Sequence, residues 1–419
     1  MTILFKAAWS QAMKITKQNT TGNLTRREML SLLALAGGGL LIGCGINPVT
    51  GQSQLFLMSP EQELAIDKQH APDQISQDYG LIQNNALQNY VHGVGSKLGK
   101  FSHRPEMPYD VNALNANYIN AYAFPGGTIG VTRGILLSIE NEAELAALLG
   151  HEIGHISARH TSSRMSKQTL TGIAVAGLGI LLATQVDSDS MALALGLGGI
   201  AAGLVLANYS RDDERQADAL GLEYMVKAGY NPKGMVGLMD MLRGLGKKEP
   251  DMIEQMFSSH PMSTERYNTT VHQANTRYAS YASDPVYRQR YMDSTARLRR
   301  LKPAIDKQTD AETALMAKKY TEGEALLKQA LKLAPRDYTG LVLMAKANIM
   351  QEKFEESIPY LDKAIDVYPE EAQAGQLRGV VESKLGNKQA ALDHLYACAK
   401  AAPHNRNTAR CIAILEATG

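Results

Sequence analysis

His151-Glu152-Ile153-Gly154-His155 sits inside Glu142 to His160, a stretch without proline in which Leu145, Leu148, Leu149, Ile153 and Ile156 recur mostly at steps of three and four. That periodicity predicts an amphipathic helix over 142–160. Residues four apart on a helix lie a turn apart on one face, so the His151 and His155 imidazoles can reach one tetrahedral zinc ion. Glu152, beside the first histidine, can take a proton from a water at that metal, which acidifies the water and polarises a carbonyl. Such an arrangement hydrolyses peptides without a covalent intermediate. A histidine pair on a helix can equally be solvated or structural, so the motif needs a third ligand.

His160 does not supply it in the known three-histidine pattern: it falls nine residues after His151, one short, and Ala158 stands where that pattern requires glycine. His160 therefore reads as a residue behind the ligands or on the surface. The run Tyr209-Ser210-Arg211-Asp212-Asp213-Glu214-Arg215-Gln216-Ala217-Asp218 offers a carboxylate instead. Glu214 and Asp218 share a helical face, so Glu214 can ligate zinc while Asp218 orients a zinc histidine through its other ring nitrogen. Alone, the run would be a solvated charged helix; beside the upstream motif it completes a site.

His151 to His155 together with Ser210 to Asp218 resembles the HtpX and CAAX prenyl endopeptidase family of gluzincin zinc metallopeptidases. Asn47-Pro48-Val49-Thr50-Gly51, Asn120-Ala121-Tyr122-Ala123-Phe124-Pro125-Gly126-Gly127 and Ser259-His260-Pro261 are similar to its periplasmic branch. The resemblance covers roughly Cys44 to Arg266. It implies one Zn2+ per chain held by His151, His155 and Glu214, with Glu152 as base. It also implies that Asn120, Ala121, Tyr122, Ala123 and Phe124 form an edge strand that pairs with extended substrate. His260 would approach the zinc as a latch or stabilise the tetrahedral intermediate, with Arg266 as an oxyanion partner; a His-Pro pair alone is often just a turn.

Upstream, Lys6, Lys14, Lys17, Arg26 and Arg27 precede an apolar stretch, Met29 to Ile42, too short to span a membrane comfortably. Residues 1–43 read as a signal peptide, and Leu41-Ile42-Gly43-Cys44 resembles a bacterial lipobox with Cys44 lipidated. Arg26-Arg27 fits either a twin-arginine or an ordinary secretory signal. Gly45 after the cysteine points to the outer membrane. Asn47 to Gly51 reads as a tether, Ser59-Pro60-Glu61-Gln62-Glu63 as a helix start, residues 82–99 as helix and 108–114 as extended chain. Two small-residue segments, Leu170 to Thr184 and Met191 to Ala207, read as a helical hairpin that either packs on the protein or enters the membrane.

The C-terminal part repeats every 34 residues, the length of a tetratricopeptide repeat. Pro335, Pro369 and Pro403 keep that step, as do Leu327, Leu361 and Leu395, and Ala330, Ala364 and Cys398. Cys398 and Cys411 either pair in an oxidising compartment or pack as small apolar residues. With 43 Lys+Arg against 42 Asp+Glu, nothing in the charge calls for nucleic acid.

The expected architecture is α+β and mostly helical. It comprises a signal peptide (1–43), a zincin-like metallopeptidase domain with a small sheet (44–272), a helical connector (273–303) and all-α tetratricopeptide repeats (304–419). The expected function is a lipid-anchored periplasmic zinc endopeptidase that acts on misfolded envelope polypeptides. Its repeats would recruit substrate or the outer-membrane protein assembly machinery. Two alternatives are a chaperone or adaptor with a latched site and an integral membrane peptidase anchored by residues 170–207.

Overall fold

The computed structural model describes residues 44–167, 209–248, 256–403 and 405–417. The signal sequence and the hairpin expected at 170–207 lie outside the described residues. Among the described residues no helix is long and apolar enough to cross a membrane.

The chain after Cys44 is an ordered hairpin and not a loose tether: β1 (Cys44–Ile46) pairs antiparallel with β2 (Ser53–Leu55). The Asn47 side chain closes the turn by accepting from the Val49 and Thr50 amides. Helix α1 (Pro60–Gln77) starts where the sequence indicates, with Ser59 and Gln62 in a capping box and Pro60 in the first turn. Helix α2 (Asn85–Gly99) buries Leu87, Val91, Val94 and Leu98 and packs on β3 (Asp110–Leu114).

The sheet has order β3-β5-β4, with β4 at Ala121–Ala123 and β5 at Thr128–Thr132. β3 runs parallel to β5, and β4 runs antiparallel to it. The turn between β4 and β5 requires glycine at 127, where φ is +115° and a Cβ would lie 2.7 Å from the Pro108 carbonyl oxygen.

Helices α3 (Arg133–Ser138), α4 (Glu142–Ser157), α5 (Arg211–Lys227) and α6 (Lys233–Lys248) follow. α4 is the central helix, and its neighbours include α2, α5, α6 and β4. It is buried nearly all round, well beyond the single stripe its periodicity suggests. It is also shorter than the sequence predicts: it ends at Ser157, Arg159 adopts φ +58°, and helical backbone resumes over 160–167. Glycines let α4 and α5 touch backbone to backbone. A Cβ on Gly150 would lie 2.9 Å from the Gly221 carbonyl oxygen, and one on Gly154 3.1 Å from that of Ala217.

After α7 (Thr264–Asn275), the 29-residue helix α8 (Arg288–Met316) runs through residue 303 without a break, with Pro303 inside it. The connector and the first repeat therefore share one helix. Helices α9 (Tyr320–Leu333), α11 (Phe354–Val367) and α13 (Lys388–Ala401) start 34 residues apart, as do α10 (Tyr338–Ile349), α12 (Ala372–Lys384) and α14 (Arg406–Ala417). Pro335, Pro369 and Pro403 fall in the loops between them. Ala330, Ala364 and Cys398 are buried at the contacts between helices; Cys398 and Cys411 are not disulfide-bonded.

Polar contacts dock these helices on the sheet end of the first unit. Arg133 pairs with Asp337 at 2.8 Å and with Gln308, Thr339 Oγ1 donates to the Asn115 carbonyl, and Ser76 donates to Glu371.

Candidate metal centre

α4 carries His151, Glu152 and His155, all buried. α5 opens at Ser210, which forms a capping box with Asp213, and this fixed start turns Glu214 and Asp218 toward α4. The glycine contact between the two helices brings Glu214 to the histidines. His260 arrives on the segment before α7, and Arg266 stands in the first turn of α7, which Ser263 caps.

His151 Nε2 and His155 Nε2 lie 3.0 Å apart. Glu214 reaches His155 Nε2 at 3.2 Å and His151 Nε2 at 3.7 Å. His260 Nδ1 lies 3.0 Å from Glu214 Oε1 and 3.3 Å from His151 Nε2. One donor atom from each of these four residues falls within 4.8 Å of the others. Behind them, Asp218 Oδ1 sits 3.0 Å from His151 Nδ1.

These residues fit a metal ion. Tetrahedral zinc with nitrogen ligands at about 2.05 Å separates them by roughly 3.3 Å, the scale of the distances here. With His151 Nδ1 turned to Asp218, its Nε2 and that of His155 point with Glu214 into one space, and two imidazole nitrogens with a carboxylate form a zinc donor set.

The charges agree. Burial pushes the Glu214 carboxyl up, but His260 and His151 outweigh it and hold the group far below the ordinary carboxylate range. Burial pushes His155 well down, which favours its neutral, ligating form. His260 is pulled the same way by burial, yet Glu214 and Glu152 raise it overall. Glu152 is fully buried, neither of its oxygens has a hydrogen-bond partner among the described residues, and burial raises its affinity for a proton against the pull of His260 and His151. Its Oε1 lies 3.8 Å from His260 Nε2.

Arg266, expected as an oxyanion partner, is engaged by the carboxylates of the cluster. It donates from Nε and Nη2 to the two Asp218 oxygens, each at 2.7 Å, and from Nη1 to the Pro261 carbonyl, and it also pairs with Glu214. Charge neutralisation of two buried carboxylates accounts for that position. β4 occupies one edge of the sheet, and α4 touches it. Asn120 to Phe124 are nonetheless all buried; Tyr122 donates to Asp78, and Asn120 Oδ1 has no partner among the described residues. Cys44 opens β1.

Sequence reasoning assigned no role to Tyr209, whose ring stacks on His155 with centroids 3.8 Å apart and planes at 24°. Its position just before the charged run was the only available signal.

Comparison with known proteins agrees with this geometry. The pattern of Peptidase family M48 matches residues 85–273. The chain is 32% identical to metalloprotease YcaL of Escherichia coli (strain K12) over 187 residues, 42% of this chain and 70% of that protein. It is 25% identical to the beta-barrel assembly-enhancing protease of Yersinia pestis over 353 residues, 78% of this chain and 71% of that one. The E. coli (strain K12) protein of the same name is 25% identical over 311 residues, covering 68% of this chain and 63% of that protein.

Proposed function

Because this chain belongs to peptidase family M48, we propose that it hydrolyses misfolded or misassembled polypeptides of the bacterial cell envelope with one zinc ion per chain. It is a metalloendopeptidase of mostly helical α+β architecture. The observation that carries the reading is the approach of His151, His155 and Glu214 to within 3.0–3.7 Å beside a buried Glu152.

His151, His155 and Glu214 hold the metal, and Asp218 fixes the His151 ring through Nδ1. Bound there, zinc acidifies a water and polarises a carbonyl. Glu152 takes the proton of the attacking water at its carboxylate and passes it to the departing amine; burial, by raising its proton affinity, suits it to both steps. The strand Asn120 to Phe124, buried in this structure, would offer main-chain groups to an extended polypeptide once its edge is uncovered, which suits an enzyme that accepts varied sequences.

We assign the protein to the periplasm, anchored by lipid at Cys44 to the outer membrane after export by a Sec or twin-arginine signal. The tetratricopeptide repeats recruit substrate or the outer-membrane protein assembly machinery. Support comes from the lipobox resemblance, the 34-residue period and two relatives named for β-barrel assembly.

The test is zinc content and casein cleavage of the purified chain. One zinc per chain and chelator-sensitive cleavage are expected; metal-free protein that cleaves casein refutes the reading. Incorporation of labelled palmitate by wild type and its loss in Cys44→Ala tests the anchor; equal labelling of both refutes it.

One observation favours a second reading, a chaperone or adaptor with a latched site: His260 Nδ1 already lies among the ligand atoms. His260→Ala then raises casein cleavage if the residue is a latch and lowers it if the residue serves the reaction.

A further inference from the structure

We propose that His160 is a positioning residue for His155, holding the ligand ring through its Nδ1 and aimed by a buried ion triad to which α1 contributes; the proposal rests on the metallopeptidase reading above. His160 is only 2% exposed. Its Nδ1 lies 2.9 Å from His155 Nδ1, and its Nε2 lies 2.9 Å from Gln216 Oε1 on α5.

The protons can be placed. His155 turns Nε2 toward His151 and Glu214, so a metal held at Nε2 places the His155 N–H at Nδ1. That N–H donates to a bare His160 Nδ1, which puts the His160 proton on Nε2, where Gln216 Oε1 accepts it. The chain from Gln216 through His160 to His155 thus has one polarity. It differs from the support of the other histidine ligand, whose Nδ1 faces the Asp218 carboxylate at 3.0 Å.

The contact needs a break in the backbone. Residues five apart on an uninterrupted helix point about 140° away from each other, so a continuous α4 would carry His160 off His155. The left-handed Arg159, φ +58°, resets the direction of the chain between them. A residue with a Cβ adopts that conformation only at a cost, so it must be held. Glu63 of α1, fully buried, does this: it accepts from Arg159 Nε at 2.7 Å, pairs with Arg104 Nη2 at 3.0 Å and accepts from Ser162. Arg104 also donates to the Ile156 carbonyl, Arg159 to the Met58 carbonyl, and Asn47 of the β1–β2 turn to the Ala158 carbonyl. The N-terminal hairpin and α1 therefore set the angle of a metal ligand nearly a hundred residues away in sequence.

The experiment compares wild type, His160→Leu and His160→Asn by transfer of zinc to a chromophoric chelator. The visible spectrum of the cobalt-substituted protein is a second readout, and the thermal midpoint of the metal-stripped chain controls for folding. His160→Leu, which has no acceptor, should release zinc about 10- to 100-fold faster and shift the cobalt bands while the metal-stripped midpoint stays put. His160→Asn, whose Oδ1 takes the place of Nδ1, should restore slow release. Release from His160→Leu at the wild-type rate, or equal release from Leu and Asn, overturns the proposal. If His160→Leu does not fold, Gln216→Leu decides: faster release supports the relay, and an unchanged rate overturns it. A wild-type chain that holds no zinc would instead remove the metallopeptidase reading.

Discussion

Glu371 offers a quantitative test of how the repeat helices dock on the first unit. The residue caps α12, is only 9% exposed, and accepts from Ser76 of α1 and from the Gln373 amide. Burial pushes its carboxyl up from 4.5 to about 7, in spite of hydrogen bonds from Ser76, Gln373 and Ala372 that pull it down. The folded protein thus binds this proton more tightly than the unfolded chain does. The resulting stability is fully present below pH 4.5 and is lost as the pH rises through about 7. At 1.36 kcal/mol per unit, the shift corresponds to about 3 kcal/mol. Glu371→Gln keeps the shape and cannot ionise. Urea unfolding of both chains, followed by circular dichroism at pH 4.5 and pH 8, cancels the groups that titrate in both. Wild type should lose about 3 kcal/mol relative to the variant between the two conditions. A gap between the chains that stays constant within about 0.5 kcal/mol would refute the reasoning.

The remaining predictions follow from single contacts. Gly221→Ala puts a Cβ 2.8 Å from the His151 nitrogen and 3.0 Å from the Gly150 carbonyl carbon, so α4 and α5 must part. Urea unfolding should show a loss of about 1–3 kcal/mol, together with a lower zinc content; wild-type values for both would contradict the account of the helix contact. Arg133→Met strips the buried Asp337 of its 2.8 Å partner and should destabilise the chain by about 3–5 kcal/mol, whereas Arg133→Met with Asp337→Leu should recover much of that loss. Free zinc at 100 times its Kd should stabilise the metal-stripped protein by about 2.7 kcal/mol, read as a rise in thermal midpoint. Glu214→Gln should abolish that rise.

The sequence displayed the fold wherever one local pattern decided it. Ser59-Pro60-Glu61-Gln62 marks the start of α1, Pro125-Gly126-Gly127 the turn between β4 and β5, and the proline columns the ends of the repeat helices. The ligand candidates were legible because helical spacing puts His151 with His155 and Glu214 with Asp218. The left-handed turn at Arg159 was not, since no glycine or asparagine marks it and Glu63, 96 residues upstream, holds it through a buried ion pair. The same limit hid the ordered hairpin after Cys44, whose turn is tied to the end of α4 through Asn47. It also hid the contacts of Arg266. A sequence shows that an arginine lies near a metal motif, but not that two buried carboxylates, Asp218 and Glu214, claim its guanidinium. The stacking of Tyr209 on His155 likewise depends on tertiary packing alone.

The central claim is that Glu152 moves the proton beside a metal held by His151, His155 and Glu214. The most direct measurement is zinc stoichiometry and casein cleavage of wild type beside Glu152→Gln. Both proteins should hold one zinc per chain, and cleavage should fall by about 10²–10⁴-fold in the variant. Undiminished cleavage by Glu152→Gln, or wild-type protein that cleaves without zinc, would contradict it.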